Sequence, residues 1–380
     1  MDVSALRRCV GDVDLFLDRY WAQAPLLREG AEARFDALAS LDDLDRMVSS
    51  LGLRESALRM VKDGKTLPPG VYTSSPSTRS RAKDAVVNAA LVYERFEEGA
   101  TIVLEGLHRY WEPLTDFCRE LEIALGHRLQ VNAYITPPGA QGFDVHRDDH
   151  DVFVLQIWGS KHWIVYDRKD DDRMLIDEVI ESGTSLYIPT GFPHAATTGE
   201  AASAHLTVGI LTHDSSDVLK EIVHLASEEP IFRDRIDVRD VETLAAEVDR
   251  HVEELRTWLD KLDRDELTIR LARKVFTTAQ PMLRGQLRQL DALASIDGSS
   301  MDRRRRGATC TLQAMDGEIR VLLADRELSL PPMASLALDH VASRERFAVS
   351  ELHPMLDPES ALVLVRRLVR EGLLEVVFDA

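Results

Sequence analysis

Cysteine is scarce in this sequence, and the few residues that occur are scattered. The chain has only three cysteines in 380 residues, Cys9, Cys118 and Cys310. Because the set is odd in number and widely spaced, it excludes a disulfide framework and a Cys-x-x-Cys zinc site. We therefore expect these thiols to be buried and chemically inert.

Long hydrophobic runs are missing as well. Hydrophobic residues make up 44% of the chain, as in soluble globular proteins, but no uninterrupted apolar stretch is long enough to span a bilayer. The first residues, MDVSALRR, lead into acidic residues rather than the apolar core of a signal peptide. These observations predict a cytoplasmic protein with no membrane partner, and the length predicts two or three domains.

Positive charge is in deficit. The chain has 46 lysines and arginines against 65 aspartates and glutamates, which gives a formal net charge of −19. Nucleic acid is therefore not an expected partner, since its phosphates are bound mainly by lysine and arginine. The charge favours a basic protein or peptide partner attracted over long range, and acidic solubility alone explains it equally well. The basic run Arg303–Arg306 is flanked by serine and glycine and is typical of a solvated linker.

Changes in the hydrophobic pattern divide the sequence. Up to about residue 130, apolar residues at helical spacing indicate amphipathic helices, the last of them over residues 114–125. Short strands separated by proline, glycine and aspartate turns follow, a pattern typical of antiparallel barrels and jelly rolls. The predicted strands cover residues 129–135, 152–157, 162–166, 185–188 and 204–211.

From about residue 215 the pattern becomes helical again. Apolar residues from Val241 to Leu262 recur every three or four positions and form one stripe, which must pack on the core, another helix or a second subunit. Three predicted helices and a strand then follow in the order of a winged-helix domain. They cover residues 335–341, 349–352, 357–370 and 372–378.

The candidate recognition helix of that domain, residues 359–370, carries three arginines towards one end. They are Arg366, Arg367 and Arg370. They lie amid apolar residues in a chain of acidic total charge, which favours a packing or partner-binding role over DNA binding.

The most informative motif is His146-Arg-Asp148, which comes shortly before a predicted strand. In an extended chain, residues i and i+2 leave the same face, so these two side chains converge. His194 lies further along, at a turn containing proline and glycine. Two imidazoles and one carboxylate form the facial triad that holds non-haem Fe(II) with open coordination positions. Because His-x-Asp is common in surface loops, the pattern alone leaves a chance match as open as a metal site.

Residues 132–163 closely resemble the JmjC domain of the ribosomal oxygenases. These are cupin-like 2-oxoglutarate oxygenases that hydroxylate ribosomal proteins. Tyr20-Trp21 with Pro25-Leu-Leu, and residues 99–111, resemble the elements that precede the barrel in this family. The resemblance is strongest over residues 99–211. Near the C-terminus only the order of the elements resembles the family, not the sequence motifs.

The resemblance implies an α+β chain built on a double-stranded β-helix, which is the cupin or JmjC jelly roll. It implies an oxygenase domain over residues 1–225, with its barrel at about 129–212. A helical dimerisation domain over 226–300 and a winged-helix domain over 301–380 would follow. It therefore also implies a homodimer.

The resemblance further implies roles for individual residues. The Fe(II) ligands would be His146, Asp148 and His194. Lys161 falls where the family has the basic residue that pairs with the distal carboxylate of the cosubstrate 2-oxoglutarate, and a buried dicarboxylate needs such a cation. Three further residues are expected to contact the cosubstrate or the substrate. They are Asn132, Tyr134 and Thr207, of which Thr207 is equally well explained as an ordinary strand residue.

Other residues near the motif are given no such role. Asp149 is expected to be a neighbour of the ligands and not a ligand. His150 shares the alternation of His146 and Asp148, but the resemblance does not use it. Three aromatic residues are expected in the barrel core, namely Trp158, Trp163 and Tyr166.

The implied activity is Fe(II)- and 2-oxoglutarate-dependent hydroxylation of a histidine or arginine side chain in a ribosomal protein. Arg147 stands where the family leads us to expect tyrosine, and the bulky Phe192-Pro193 pair precedes the distal histidine. Both departures leave the substrate open. The alternatives are the same chemistry on a precursor peptide or another protein, histone-type demethylation, and a ligand-sensing winged-helix regulator that binds DNA. The acidic charge argues against the last of these.

Overall fold

The chain forms two units, residues 1–212 and residues 213–380. The structure is a computed structural model that describes residues 3–30, 34–74, 85–140, 144–315 and 317–378. Residues 141–143, which belong to the segment that resembles the JmjC domain, lie outside the described residues. Within the described ranges, no helix is both long and apolar enough to cross a membrane.

The first unit combines short helices with many strands. Its helices are α1 (Ser4–Val10), α2 (Val13–Arg19), α3 (Leu41–Ser50), α4 (Ala89–Glu97) and α5 (Glu112–Leu125). The strands before the predicted barrel are β1 (Leu26–Arg28), β2 (Leu58–Lys62), β3 (Lys65–Thr66), β4 (Thr73–Ser74), β5 (Val86–Val87) and β6 (Thr101–Leu104). Those of the barrel are β7 (Arg128–Thr136), β8 (Asp151–Trp158), β9 (Ser160–Asp167), β10 (Asp170–Glu181), β11 (Ser185–Ile188), β12 (His194–Thr197) and β13 (Ser203–Leu211).

Two sheets of this unit pack face to face. The larger has the strand order β1-β11-β8-β13-β7-β6-β2-β3, and the smaller has the order β10-β9-β12. Apolar side chains from β8 and β11 of the large sheet meet those of β9 and β10 between the sheets. Two packed antiparallel sheets of this kind form the jelly roll that the sequence predicts.

The five strands predicted between residues 129 and 211 are confirmed as β7, β8, β9, β11 and β13. The predicted helix over residues 114–125 is confirmed as α5. The sequence does not predict β10 and β12. Strand β10 is exposed along most of its length, so it lacks the apolar alternation of a half-buried strand, and β12 is only four residues long.

Alternating side chains on β7 separate a hydrophobic core from the space between the sheets. The apolar residues of this strand are buried together with residues of α1, α3 and α5. The intervening residues Gln130, Asn132 and Tyr134 are half-buried. Because successive side chains of a strand leave opposite faces, these polar residues point towards the smaller sheet.

The aromatic residues expected in the barrel core occupy different environments. Trp163 is 6% exposed and packs between the sheets, as expected, and Tyr166 is half-buried. For Trp158 the expectation is wrong, since this side chain is 38% exposed. Trp158 is the last residue of β8, where the strand leaves the packed layer at the turn through Gly159.

The second unit begins with helices and continues with short strands and two further helices. Its helices are α6 (Ser215–Glu228), α7 (Val241–Leu259), α8 (Arg264–Phe276), α9 (Gln286–Ala292), α10 (Ser335–Ser343) and α11 (Pro358–Arg370). Its strands are β14 (Met301–Arg304), β15 (Thr311–Met315), β16 (Glu318–Leu322), β17 (Glu327–Leu330), β18 (Arg346–Ala348) and β19 (Leu374–Val376).

Most of the elements predicted near the C-terminus are present. The helices predicted over residues 335–341 and 357–370 are α10 and α11, the final strand is β19, and residues 349–352 form a 3₁₀ helix. Strands β14 to β18 are not predicted. They are short and only partly buried, so they have no clear hydrophobic alternation in the sequence.

Helices α7 and α11 differ in how they bury apolar side chains. Helix α11 buries one face in the core of the second unit. No residue of α7 is buried, and along its apolar stripe Val241, Val248 and Val252 are 81%, 54% and 50% exposed. The stripe that the sequence predicts is therefore present, but a single chain leaves it in water.

The solvated linker expected at Arg303–Arg306 is wrong. Residues Met301–Arg304 form β14, the central strand of a sheet with the order β18-β14-β19. Arg305 is only 4% exposed, and its guanidinium donates to the carbonyl oxygens of Arg284 and Gly372. Because this arginine finds acceptors inside the fold, its charge is buried and not solvated.

Asp302 on β14 is an isolated buried acid. It is 0% exposed, and within the described residues neither carboxylate oxygen has a hydrogen-bond partner. Burial raises the pKa of Asp302 to about 7, whereas in the unfolded chain an aspartate has a pKa of about 3.9. Between pH about 4 and 7 the folded protein keeps a proton that the unfolded chain has released, so stability falls as the pH rises through this window.

We predict that Asp302→Asn abolishes this loss of stability. Near pH 4 the two proteins should have similar free energies of unfolding. At pH 8 the variant should be more stable by about 4 kcal/mol, because it has no buried group to ionise and each unit between the folded and unfolded pKa is worth about 1.4 kcal/mol. Denaturant unfolding at both pH values measures the free energy of unfolding of each protein. The titration of other groups cancels when the variant is compared with the unmodified protein at the same pH. A variant that gains no stability at pH 8 would contradict the assignment.

Candidate metal centre and its cavity

Three side chains from two segments meet at one point of the first unit. His146 and Asp148 precede β8, and His194 opens β12. One potential ligand atom from each lies within 4.8 Å of the others. Nε2 of His146 is 3.9 Å from Asp148 Oδ1, and Nε2 of His194 is 3.6 Å from Asp148 Oδ2. The structure thus brings together the three residues that the sequence motif selects, which we call the triad.

A backbone bridge fixes the two histidines of the triad. The N–H of His146 donates to the carbonyl of His194 at 3.1 Å, and the N–H of His194 donates back at 2.9 Å. Their Nδ1 atoms lie 2.9 and 3.0 Å from the carbonyl oxygens of Asp144 and Phe192. Since a carbonyl can only accept, Nδ1 carries the proton in both rings. In both rings Nε2 is therefore the unprotonated nitrogen, which is the form that binds a metal.

Burial favours the neutral form of His194. The residue is 4% exposed, and this burial lowers the pKa of its imidazole, with a smaller contribution from positive charge on the nearby His146. Neutral imidazole is the form that binds metals, so the environment of His194 suits a ligand.

A buried aspartate holds the turn that leads into His194. Asp151 is 2% exposed and accepts hydrogen bonds from the N–H and the hydroxyl of Thr190 at 2.8 and 2.7 Å. Beside it, the N–H of Gly191 donates to the carbonyl of Asp148 at 3.0 Å. These bonds tie the turn to the segment that carries the other two triad residues, so the fold positions all three.

The triad lies in the wall of a cavity of about 280 Å³. Most of the lining comes from β7, β8, β9, β12 and β13, and thus from both sheets. Apart from the triad, the lining residues are Arg59, Thr101, Gln130, Asn132, Tyr134, His150, Val152, Val154, Lys161, Trp163, Ala196, His205, Thr207 and Gly209. All four binding residues that the resemblance names besides the triad are in this lining, namely Lys161, Asn132, Tyr134 and Thr207.

The resemblance selected four cavity residues besides the triad, and three of them lie side by side on the wall formed by β7 and β13. The register of these strands pairs Tyr134 with His205, Asn132 with Thr207, and Gln130 with Gly209. The side-chain carbonyl of Asn132 accepts from the N–H of Gly106 at 2.9 Å, and the Tyr134 ring stacks on His205 with their centroids 5.0 Å apart. The cavity wall is therefore rigid where a ligand would meet it.

Lys161, the fourth of these residues, is a buried cation without a counter-charge. It is 3% exposed, and its ammonium donates to the hydroxyl of Thr136 at 3.1 Å. No carboxylate among the described residues forms an ion pair with it. Burial lowers the pKa of Lys161 to about 7. Because a buried charge needs a partner, this part of the cavity is suited to an anionic ligand.

Two more nitrogen atoms in the cavity lining have no hydrogen-bond partner. Among the described residues, Nδ1 of His205 and Nε1 of Trp163 are buried and unpaired. Burial lowers the pKa of His205 well below its usual value, and the neighbouring Lys161 adds to this effect, so the imidazole is neutral. Buried polar groups without partners are rare in native proteins. Their presence beside Lys161 indicates a ligand that accepts hydrogen bonds.

The residues that follow the triad motif behave largely as expected. The carboxylate of Asp149 is fully exposed and lies outside the cavity lining. His150 does line the cavity, but it is not part of the cluster formed by the triad, and its Nδ1 lies 2.9 Å from the Asp149 carboxylate. Gly209 leaves space for this imidazole, since a Cβ there would lie 2.8 Å from His150 Nε2.

The two departures from the family pattern lie outside the cavity lining. The guanidinium of Arg147 donates to the carbonyl oxygens of Gly191 at 2.6 Å and Arg168 at 3.3 Å, and it pairs with Asp171. Phe192 is 3% exposed and packs between the sheets. Arg147 therefore braces the turn between β9 and β10 against the triad segment.

Sequence reasoning does not select His205, Trp163 or Asp151 for a role in the site. His205 lies two residues before Thr207 on the same strand, so alternation alone places both on one wall. Trp163 is expected only as a core residue. For Asp151 the sequence contains no signal, because its partner Thr190 comes close only through the fold.

Comparisons with known proteins connect this geometry to a family. Residues 109–218 match a family model described as a JmjC domain. The chain is 28% identical over 240 residues to Ribosomal oxygenase 1 of Gallus gallus, covering 58% of this chain and 38% of that protein. It is 30% identical over 293 residues to Ribosomal oxygenase 2 of Mus musculus, covering 67% and 59%. The chain thus spans less than two thirds of the length of these relatives.

Solved structures with similar folds cover nearly the whole chain. The structure of YcfD, a ribosomal oxygenase from Escherichia coli, has a TM-score of 0.57 at 21% identity and covers 97% of this chain and 98% of that one. A structure of the same protein in complex with cobalt and 2-oxoglutarate has a TM-score of 0.55 at 19% identity, with coverage of 96% and 97%. At this level of identity the likeness establishes the fold. The resemblance drawn from the sequence is thereby confirmed: the chain carries a JmjC domain and is related to the ribosomal oxygenases.

Proposed function

We propose that this chain is an Fe(II)- and 2-oxoglutarate-dependent dioxygenase that hydroxylates a protein side chain. The observation that carries the proposal is the triad, in which two imidazoles and a carboxylate converge in a cavity wall. The names of two relatives support it, because one is called a ribosomal oxygenase and the other a histidyl-hydroxylase. The Escherichia coli structure in complex with cobalt and 2-oxoglutarate supports the same cofactors.

The donor set of the triad fits Fe(II). Two imidazoles and one carboxylate are the ligands of non-haem iron sites that keep coordination positions open. Bound Fe(II) supplies those positions and the redox chemistry by which O2 converts 2-oxoglutarate to succinate and CO2 and hydroxylates a C–H bond. His146, Asp148 and His194 would hold the ion in the cavity wall, and Fe(II) bound by three protein ligands would have coordination positions left for other ligands.

The cavity also fits 2-oxoglutarate. We assign the distal carboxylate of this dianion to Lys161, whose ammonium otherwise has no counter-charge. His205 and Trp163 add N–H donors whose nitrogen atoms are unpaired in the described structure, and a carboxylate accepts such bonds readily. The valines of β8 close the wall beside them and exclude water, which strengthens these electrostatic contacts.

The proposed substrate is a histidine or arginine side chain of a ribosomal protein, which places the enzyme in the cytoplasm. The net charge of −19 favours a basic partner. Asn132, Tyr134 and Thr207 provide amide and hydroxyl groups suited to the nitrogen atoms of an imidazole or guanidinium. Mass spectrometry of ribosomal proteins from cells with and without this gene, searching for one added oxygen atom, tests the assignment. Identical masses in both samples would contradict it.

We further propose a homodimer formed through the exposed stripe of α7. Under this proposal residues 226–300 form a dimerisation domain and residues 301–380 a winged-helix domain. The support is physical, because exposed apolar residues at helical spacing need a partner, and a second copy presents the same stripe. An interface between two copies related by a two-fold axis is self-complementary in this way.

The triad assignment predicts that Asp148→Ala abolishes activity through metal binding. The carboxylate between the two imidazoles is lost, so affinity for Fe(II) or Co(II) should fall by more than roughly 100-fold, and no succinate should form. His150→Ala is the control for metal binding, because this imidazole lines the same cavity outside the triad. Calorimetric titration with Co(II) measures the affinities. Unchanged metal affinity in Asp148→Ala would refute the ligand set.

The buried state of Lys161 predicts a pH-dependent affinity for 2-oxoglutarate. The pKa of Lys161 is about 7 without a ligand, and a bound carboxylate raises it, so binding above pH 7 must take up a proton. The dissociation constant should be flat below pH 7 and rise about tenfold per unit above it. Lys161→Arg should remove this slope, because arginine stays protonated, and Lys161→Met should bind weakly at every pH.

The measurement uses Co(II)-substituted protein and calorimetry in two buffers of different ionisation enthalpy, which reports the proton uptake directly. Metal affinity of the same variants is the control. If Lys161→Met bound 2-oxoglutarate as well as the unmodified protein, the assignment of the distal carboxylate would be wrong.

The dimer proposal predicts that charge on the α7 stripe yields monomers. Val248→Glu combined with Val252→Glu places two carboxylates where the two copies would meet. The dissociation constant of the dimer should therefore rise at least tenfold, which corresponds to about 1.4 kcal/mol or more. Thr257→Glu is the control, because this exposed residue lies on the helix face opposite Val248. Light scattering over a dilution series measures the mass. A double variant that remains dimeric would rule out this interface.

A further inference from the structure

The second unit has an apolar groove beside the helix that carries the three C-terminal arginines. The groove has a volume of about 650 Å³ and lies between α11 and the segment formed by β17 and its following turn. Two of its apolar side chains are largely in water, since Met333 is 65% and Val363 is 62% exposed. Exposed apolar surface of this kind, rimmed by charged residues, marks an interaction site.

Helix α11 presents an ordered stripe to the groove. Glu359, Val363, Arg366 and Arg370 follow one another at steps of three and four and line the groove together with Arg367, as residues on one helix face do. The apolar position lies in the middle and the arginines lie at the C-terminal end. Among the described residues that line the groove, Glu359 is the only acid, and it lies at the opposite end.

The three arginines differ in how freely they can meet a ligand. Arg367 pairs with Glu371 at 2.8 Å at the surface, an interaction of small net energy. Arg366 donates to the carbonyl of Ile296 at 2.7 Å. Arg370 is exposed, and in the described part of the chain its guanidinium has no ion pair. A ligand carboxylate at this end of the groove can therefore pair with Arg370 without breaking a buried ion pair.

Strand β17 contributes unpaired backbone groups along the groove. It is the edge of the sheet β15-β16-β17. The N–H of Leu323 donates to the carbonyl of Arg326 at 2.8 Å, which starts the hydrogen-bonded pairs of this hairpin. Because such pairs alternate along an antiparallel ladder, the next one joins Val321 and Leu328. The peptide groups of Ser329 then face away from β16.

The groove follows this free edge. Four consecutive residues, Leu328 to Pro331, line it, although successive side chains of a strand point to opposite faces. A cavity that contacts all four runs along the edge of the strand. An exposed strand edge beside a helix is the geometry by which several domains bind an extended peptide as an additional strand.

We propose that this groove binds an extended protein segment in which apolar residues alternate with aspartate or glutamate. The segment lies beside β17 and bonds to the peptide groups of Ser329. Its apolar side chains cover Val363 and Met333, and its carboxylates pair with Arg370 and the neighbouring arginines. The ligand is a protein segment and not nucleic acid, because three arginines at one end of an apolar floor, in a chain of net charge −19, do not follow a phosphate backbone.

The test uses the full-length chain and a fluorescein-labelled octapeptide of alternating valine and glutamate. Fluorescence anisotropy should show saturable binding, and the same peptide with lysine in place of glutamate should bind at least about tenfold more weakly, because the arginines repel it. The proposal is overturned if the glutamate peptide fails to bind up to about 1 mM. Equal binding of the lysine peptide, or preferred binding of duplex DNA, also overturns it.

Two variants locate the binding site. Val363→Glu places a charge on the apolar floor and Arg370→Glu reverses the charge of the rim, so each should weaken binding of the glutamate peptide by at least about tenfold. Arg256→Glu on α7 is the control for a reversed surface charge and should bind as the unmodified chain does. If both groove variants bind normally, the peptide lies elsewhere and the proposal fails.

Hydrogen exchange supplies a readout that does not depend on substitution. Bound peptide should slow exchange of the amide protons at residues 327–331, since an added strand covers this edge. Unchanged exchange there, with the glutamate peptide bound, contradicts strand addition. Circular dichroism confirms that each variant is folded. If Val363→Glu does not fold, Arg370→Glu and the exchange experiment together test the proposal. All of these results are independent of the oxygenase activity.

Discussion

The two backbone hydrogen bonds between His146 and His194 are the constraint on which the site depends. They join segments that are distant in sequence and hold the two rings with their centroids 4.4 Å apart. Asp148 then reaches the same point because it lies two residues after His146 in the same segment. Since folding already orders all three side chains and their tautomers, a metal ion meets a preorganised site and little conformational entropy is lost on binding.

The jelly roll gives the two faces of its larger sheet different functions. On β7 and β13 one face packs apolar side chains against helices, and the other carries polar residues into the cavity. A cavity of this kind can hold uncompensated donors only because its walls are rigid. Among the described residues, Lys161 has no counter-charge, and His205 Nδ1 and Trp163 Nε1 have no hydrogen-bond partner, so these groups are available to a ligand. The same rigidity that stabilises the barrel thus creates a site for an anion.

Local patterns determined what the sequence could predict. The five barrel strands follow from alternation and turn residues, which are local. The spacing of His146 and Asp148 left a chance match open, and the resemblance to the ribosomal oxygenases named the three triad ligands. Strand β10 could not be predicted because its exposed, acidic residues show no alternation. The burial of Arg305 could not be predicted either, because it depends on carbonyl groups that only the fold brings near. His205 lay within reach, since it shares a strand face with Thr207. Its significance comes from its unpaired nitrogen, which no pattern in the sequence reveals.

The second unit shows why helix α7 needs something to pack on. A helix without buried residues receives no stabilisation from a core, and isolated helices of about 19 residues are marginal in water. The N-terminal capping box of Asp240 with Thr243 and the ion pairs of Arg250 with Glu247 and Glu254 support it locally. Such pairs contribute only about 0.2–0.5 kcal/mol each. Val248 and Val252 are about half-exposed, so covering them would contribute about half of the roughly 1.5 kcal/mol that burial of a fully exposed valine provides, or about 0.8 kcal/mol each. The apolar stripe is therefore better explained as half of an interface than as a solvated surface.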